Sequence, residues 1–276
     1  MTLPLRFVKM SGGGNDFLLF EADGRGLSPE DRRGVSLLCR RGLSVGADGA
    51  LFLSAGESGR IRLDYFNADG GLASFCANGT RCAARYAVTR RLVSGREPVL
   101  ETGWAAIAAR VNGETVSLAL PPLPGPGDAI SLAAVGLPGT ATPMHVGVPH
   151  LVVVSEEDLD KVDVARLGPP LRHHPACPDG ANVNFVRVLS PNRIAVRTYE
   201  RGVEAETLAC GSGIVAAAAV AARAGLVDPP VVCETRSGVS FTVDFRDEPA
   251  GLSDVTLTGD AREVFTAELT REAFQN

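Results

Sequence analysis

Apolar and polar residues alternate along the chain in short blocks that read as strands, and twice the pattern gives way to a helix rich in small apolar residues. From the N-terminus, apolar runs over 5–10 and 17–21 predict two strands, with Ser11-Gly12-Gly13-Gly14-Asn15-Asp16 as the turn between them. Ser28-Pro29-Glu30-Asp31 supplies an N-cap, a proline at the first helical position and acids in the first turn, so a helix is expected from there to about 41. A turn over 46–48 leads to strands over 50–54 and 61–66, and a helix is expected over 77–90. Strands over 99–102, 105–111 and 115–120 follow. The Pro/Gly run 121–127 breaks the pattern and reads as a linker between domains. Beyond it the plan recurs. Strands are expected near 144–146 and 151–154, a helix capped at 155–158 and running to about 167, and a polar surface loop through His173-His174-Pro175. Strands over 183–189 and 194–199 precede a second helix, 214–223, that Gly225 ends. Strands over 231–235, 240–245 and 254–258 come last, and 261–274 reads as a helix or as a strand then a helix.

The helix over 214–223 is apolar all round apart from Arg223, so it is expected to be buried rather than amphipathic. Cys210-Gly211-Ser212-Gly213 stands at its N-terminus, where free N–H groups and the positive dipole end favour a thiolate and an anion. A cysteine there reads equally as a small packing residue. A second stretch tips that balance. Cys76-Ala77-Asn78-Gly79 opens the earlier helix after a strand and a polar loop, 134 residues before Cys210 (76 to 210). Gly46-Ala47-Asp48 matches Gly180-Ala181-Asn182, Phe66-Asn67 matches Tyr199-Glu200, and Gly14-Asn15 matches Gly147-Val148 at nearly the same offset. Matches in order at one offset indicate a duplication, with one helix-capping cysteine per half. Two related half-sites facing one ligand would place a thiol on either side of it.

With 276 residues, the chain allows one large or two medium domains, and the repeat decides for two: 1–120, joined by 262–276, and 121–261. A net charge of −5 argues against nucleic acid or an anionic membrane as partner. No signal-like core and no membrane-length apolar run is present, so a cytoplasmic protein is expected. The six cysteines include no CxxC pair, which leaves free thiols in a reducing compartment and no zinc site. Cys39, Cys82, Cys177 and Cys233 read as packing residues, and vicinal His173-His174 is a poor pair for one metal, so no metal is expected. The triple glycine lacks the Lys-Ser/Thr of a phosphate loop.

Several segments, taken in order, resemble diaminopimelate epimerase. They are Lys9-Met10 with Gly14-Asn15-Asp16-Phe17, Asn67-Ala68-Asp69-Gly70, Cys76-x-Asn78-Gly79-x-Arg81-Cys82, Asn182-Val183-Asn184-Phe185, Glu200-Arg201-Gly202, and Glu206-Thr207-x-Ala209-Cys210-Gly211-Ser212-Gly213. The resemblance spans nearly the whole chain. It implies an α/β (α+β) fold of two pseudo-symmetric domains, each a sheet curled around a central helix, a homodimer, and inversion of one α-carbon of LL-diaminopimelate without a cofactor.

It also implies roles. Cys76 and Cys210 are the base and acid on opposite faces of the carbon. Asn78, Gly79, Gly211 and Ser212, with Ala77 beside them, lie at the two helix N-termini that stabilise the carbanion-like state through the α-carboxylate. Asn15 lies near the reacting centre. Arg201 suits the distal carboxylate and Glu200 the distal amine, while Asn67 and Asn182 can bond either. Pyridoxal phosphate chemistry would use a Schiff-base lysine, and the only lysines, Lys9 and Lys161, lie in no recognisable site. The sequence departs from the family's common pattern at four places: Ala77 for Gly, Gly49 for Gln, Ser11 for His and Val148 for Asn. The loop from Glu200 to Cys210 is also one residue longer than the commonest form. Val148, at the position of a distal-carboxylate contact, keeps open a racemase of another amino acid such as histidine. A non-catalytic amino-acid-binding relative is the rival of a different class, and retention of both cysteines argues against it.

Overall fold

The structure, a computed structural model, describes residues 3–275. It is a mixed α/β protein built of two compact units, Met1–Leu118 with Gly259–Asn276, and Ala119–Thr258.

In the first unit, Arg6–Gly12 pairs antiparallel with Asn15–Glu21, which lies parallel to Gly49–Ala55; that strand pairs antiparallel with Ile61–Asn67. Ile61–Asn67 then runs beside Leu72–Ala73 and, in parallel, Val99–Glu101, which pairs with Ala106–Asn112. Helix α1 (Pro29–Cys39) covers one face of the sheet. Its Ser28 cap accepts from Asp31 N at 3.1 Å and Pro29 opens it, as the sequence led us to expect. Beneath it Phe20 stacks on Phe52 with ring centroids 5.0 Å apart, among Phe7, Val35, Leu38 and Phe66. Helix α2 (Ala77–Thr89) packs on the other face, against the strands of the unit.

The second unit repeats this order. Thr140–Val146, Val148–Val154, Asn182–Ser190, Arg193–Glu200, Ala205–Thr207, Val231–Thr235 and Ser240–Glu248 pair with the same senses, antiparallel and parallel, as their counterparts. Helix α3 (Val164–Arg172) takes the place of α1 and α4 (Gly211–Arg223) that of α2. Residues Gly213–Ala221 of α4 are all buried within their strands, which is why no polar side chain interrupts them. Gly225 (φ +69°) and Leu226 end the helix by donating to Ala222 O and Ala221 O at 2.8 and 3.0 Å, the hydrogen-bond pair of a left-handed C-terminal cap.

Two expectations are corrected. The helix expected from 155 does not start there. Asp158 caps only a single 3₁₀ turn, Leu159–Lys161, and Asp163 caps α3 by accepting from Arg166 N at 3.1 Å. The segment after Asp163, rather than that after Asp158, has the apolar face that packs on the sheet. In the loop expected at the surface, His173 and Pro175 are exposed but His174 is buried: its Nε2 donates to Ser131 O at 3.2 Å and its Nδ1 accepts from Ala176 N at 3.2 Å. Of the two readings of 261–274, the structure takes the strand then a helix, as the strand Arg262–Glu268, which pairs along Arg6–Gly12, and a 3₁₀ turn, Arg271–Phe274. Among the described residues no helix is long and apolar enough to cross a membrane.

Candidate active site

Each unit presents a cysteine at the N-terminus of its central helix. In the first, Cys76 is the N-cap of α2, extended at φ −143°, ψ 110°, and half-buried. Its Sγ accepts from Gly79 N at 3.4 Å, and its carbonyl accepts from Thr80 N and Oγ1 at 2.8 and 2.9 Å. The thiol therefore sits where the helix's free N–H groups and positive dipole end converge. Gly79 lets the helix approach the sheet: a Cβ there would lie 2.9 Å from Leu51 Cδ2. Ala77 is the first helical residue and is not among the positive-φ positions, so its replacement of a family glycine strains nothing.

Behind Cys76 runs a line of polar side chains. Arg81, fully buried, donates to Asn78 Oδ1 at 2.7 Å and to Asp260 O at 3.1 Å. Asn78 donates to Asn15 Oδ1 at 2.8 Å, and Asn15 donates to Asp48 Oδ2 at 2.9 Å. Asp48 also accepts from Asp16 N at 3.2 Å and from Arg41 at 2.7 Å. Asp16 in turn binds Arg41 and Lys9 Nζ, the latter at 2.7 Å. Burial works to raise the Asp16 carboxyl, but hydrogen bonds and charge from Arg41 and Lys9 outweigh it and hold the group below the usual carboxylate range. Lys9, which sequence reasoning placed in no site, is thus a buried brace of this half-site. Asn67 stands apart, exposed at the end of its strand opposite Gly49. Gly49 has a steric reason. A Cβ there would lie 2.5 Å from Phe66 O and 2.6 Å from the Tyr65 ring, so Tyr65 fills the space a longer side chain at 49 would need.

In the second unit Cys210 is the N-cap of α4, buried, with Sγ 3.5 Å from Ser212 Oγ. Gly211 and Ser212 form the first turn. Gly213 leaves room for the Asn184 amide, whose oxygen would lie 2.2 Å from a Cβ at 213. Asn184 accepts from Thr198 Oγ1 at 3.0 Å and donates to His150 Nδ1 at 3.2 Å and Leu151 O at 3.4 Å. Since Leu151 O can only accept, the amide nitrogen faces that way, so His150 Nδ1 accepts and the ring proton sits on Nε2. His150 Nε2 is buried with no hydrogen-bond partner among the described residues. Sequence reasoning missed His150, Asn184 and Thr198. The available signal was Asn182 and Asn184 at alternate positions of an otherwise apolar strand, hence on one face.

At the start of that strand, Asn182 Oδ1 accepts from Arg201 N at 2.7 Å, and Arg201 Nη1 donates to Asp179 O at 3.3 Å. The structure thus brings Asn182 and Arg201 together, with Glu200 next in line at the end of its strand. In the loop between Glu200 and Cys210, Glu204 adopts φ +56° and its carboxylate accepts from Gly202 N and Arg172 Nε at 3.0 and 3.1 Å. Arg197 holds the strand leading to Cys210 through a two-pronged contact with Glu206, both distances 2.6 Å. Val148 opens its strand with an apolar side chain and supplies no polar contact. Among the described residues no group of three or more His, Cys, Asp or Glu gathers as a metal site.

Burial, then the charges of His145 and Arg201, oppose protonation of His150 and lower its pKa from 6.5 to about 3. Between those values the unfolded chain binds the proton and the folded chain does not. Stability is therefore full above about 6.5 and is lost as pH falls toward 3, by up to about tenfold in the folding constant per pH unit. We expect His150→Gln to shrink the difference between urea midpoints measured at pH 7.5 and pH 4.5; the same difference in wild type and variant would remove His150 as its source.

The diaminopimelate epimerase family model matches residues 7–116 and 143–263. A diaminopimelate epimerase of Aquifex aeolicus is 39% identical over 98% of this chain and 100% of its own length. One of Methanothrix thermoacetophila is 39% identical over 92% of this chain and 94% of its own. Among solved structures, a probable proline racemase from Agrobacterium radiobacter superposes with a TM-score of 0.72 at 14% identity, covering 96% of this chain and 93% of that one. A hydroxyproline epimerase from Agrobacterium vitis gives 0.68 at 15%, covering 97% and 92%. At such identities these two likenesses speak for the fold.

Proposed function

The chain belongs to the diaminopimelate epimerase family, and from that premise we propose that it interconverts LL- and meso-diaminopimelate without a cofactor, using Cys76 and Cys210 as its two acid–base groups. The observation that carries this reading is the repeated setting of the two cysteines. Each caps a central helix of its unit, in the same place in the same order of strands.

The chemistry follows from that setting. The α-hydrogen of an amino acid is very weakly acidic, so a base needs help from charge placed to meet the developing carbanion. The N–H groups of Ala77, Asn78, Gly211 and Ser212, at the positive ends of α2 and α4, suit the substrate's α-carboxylate and stabilise the charge that delocalises into it. One cysteine, as thiolate, takes the α-proton and becomes a thiol. The other, as thiol, gives its proton to the opposite face of the carbon and becomes the thiolate. The pair ends each turnover with its protonation states exchanged, so it titrates as a coupled unit.

Arg201 and Asn182 suit the distal carboxylate, Glu200 and Asn67 the distal amine, and Asn15 the reacting end. A product of this kind serves lysine and peptidoglycan precursor synthesis in the cytoplasm. A homodimer fits the strand Arg262–Glu268, which pairs with Arg6–Gly12 and whose Val264 and Phe265 are 58% and 44% exposed.

The test is incubation with LL-diaminopimelate in D₂O with no added cofactor, following α-carbon stereochemistry and deuterium. Meso product carrying one solvent deuterium is expected. A folded, reduced protein that exchanges nothing with this substrate would overturn the assignment. Exchange with another amino acid instead would favour the racemase reading that Val148 leaves room for.

A further inference from the structure

Trp104 is the one tryptophan of the chain, and sequence reasoning gave it no part. It lies on the short turn between strands Val99–Glu101 and Ala106–Asn112, and that turn is closed on itself. Thr102 Oγ1 accepts from Trp104 N and Ala105 N at 3.2 and 3.1 Å and lies 2.8 Å from Ala105 O, to which Thr102 N also donates at 3.1 Å. A hydroxyl that ties down the N–H groups ahead of it fixes the backbone of a turn. Both ends are anchored as well, since Glu101 and Ala106 are paired neighbours in the sheet. Trp104 therefore stands on a rigid platform.

The platform rests on the link that delivers Cys76. Strand pairing carries the chain as far as Ala73, opposite Tyr65, and α2 begins at Ala77. Ser74 and Phe75 bridge the two, outside both strand and helix. The platform meets them at successive residues. Gly103 lies against the backbone of Ser74, so close that a Cβ at 103 would be 2.9 Å from Ser74 Cα and 3.0 Å from Ser74 O. Trp104 meets Phe75 with ring centroids 4.9 Å apart and planes tilted by 56°, within the favoured range for an aromatic pair. Phe75 directly precedes Cys76, so its course sets where Cys76 enters the helix. The cap that Cys76 makes to Gly79 N, at 3.4 Å, rests on sulfur, a weak acceptor, and gains from a fixed chain ahead of it. We propose that Trp104 is a positioning residue for Cys76: through Phe75 it fixes the link that enters α2, and with it the place of the thiol at the helix N-terminus. The proposal rests on the epimerase reading for the role of Cys76, but not for the hold on it. A reacting group misplaced by about 1 Å loses on the order of 10²-fold in rate.

Amide hydrogen exchange reads the hold without any substrate. Gly79 N and Thr80 N are bonded to Cys76 Sγ and Cys76 O at 3.4 and 2.8 Å, so their protection reports whether Cys76 keeps its place. In Trp104→Ala both amides should exchange about tenfold faster while those of α1 keep their wild-type rates. Trp104→Phe, which keeps a ring over Phe75, should restore the protection. Unchanged protection at Gly79 and Thr80 overturns the proposal, and so does equal acceleration throughout the unit, which would make the role of Trp104 merely structural. Turnover gives the second readout. Trp104→Ala should lower kcat for diaminopimelate about 10²-fold with KM within about threefold, and Trp104→Phe should lie within about threefold of wild type in both. No fall in kcat, or a loss carried by KM, overturns the proposal. If wild type itself does not turn over diaminopimelate, the epimerase reading fails, and exchange at Gly79 and Thr80 decides alone whether Trp104 holds Cys76.

Discussion

Replacing Cys76 with alanine should lower epimerisation of LL-diaminopimelate by roughly 10⁴-fold, and replacing Cys210 should do the same. The size follows from having no substitute. A water molecule in the vacated place is a far weaker base than a thiolate, and inversion needs a group on each face. Stability gives no comparable loss. The cap that Cys76 provides, Sγ to Gly79 N at 3.4 Å, is long, and losing an N-cap costs about 1 kcal/mol. Circular dichroism and thermal unfolding should therefore show both variants folded while turnover is gone. The isotope pattern carries more than the rate. With Cys76 absent, Cys210 still reaches the hydrogen on its own face, so slow exchange without inversion should persist for one α-configuration only. With Cys210 absent it should persist for the other. Retention of more than about 1% of turnover in either variant, or the same surviving configuration in both, would reject the two-cysteine mechanism.

The residues that could be read in the sequence share a property: their signals are local. Ser28-Pro29 announces α1, Gly225 ends α4, and a cysteine followed by small residues opens each central helix. The repeat added long-range information of a simple kind, since matching segments imply matching places. What stayed hidden depends on pairings that no period reports. Lys9 looks like any strand lysine until Asp16, itself paired with Arg41, and the Gly46 carbonyl fold against it. His150 carries no mark of burial, because burial decides its state, and its neighbours Asn184 and Arg201 are 34 and 51 residues away (150 to 184 and 201). The helix start was misplaced for the opposite reason. The capping signal at 155–158 is real but opens only a 3₁₀ turn, and packing against the sheet starts the helix at Asp163 instead.

Arg201→Ala should raise KM for diaminopimelate by about 10²–10³-fold, the loss of a charge-assisted pair with a distal carboxylate. The substitution is clean. The backbone N–H of residue 201 holds Asn182 Oδ1 at 2.7 Å and survives in alanine, and the side chain's own hydrogen bond among the described residues is a single one of 3.3 Å to Asp179 O. Most of the guanidinium fork is thus available to a ligand. The distal end does not react, so its contacts act alike on ground state and transition state and their loss falls mainly on KM. Val148 makes the effect larger than in a sequence with asparagine there, because an apolar side chain cannot share the load. Arg201→Lys should recover part of the loss, restoring the charge without the fork. Lysine, which is diaminopimelate without the distal carboxylate, supplies the control. Any slow α-proton exchange it undergoes should be the same in wild type and Arg201→Ala. Diaminopimelate kinetics within twofold of wild type would remove Arg201 from the distal site, and with Val148 already silent there, the case would shift to a substrate with no distal acid.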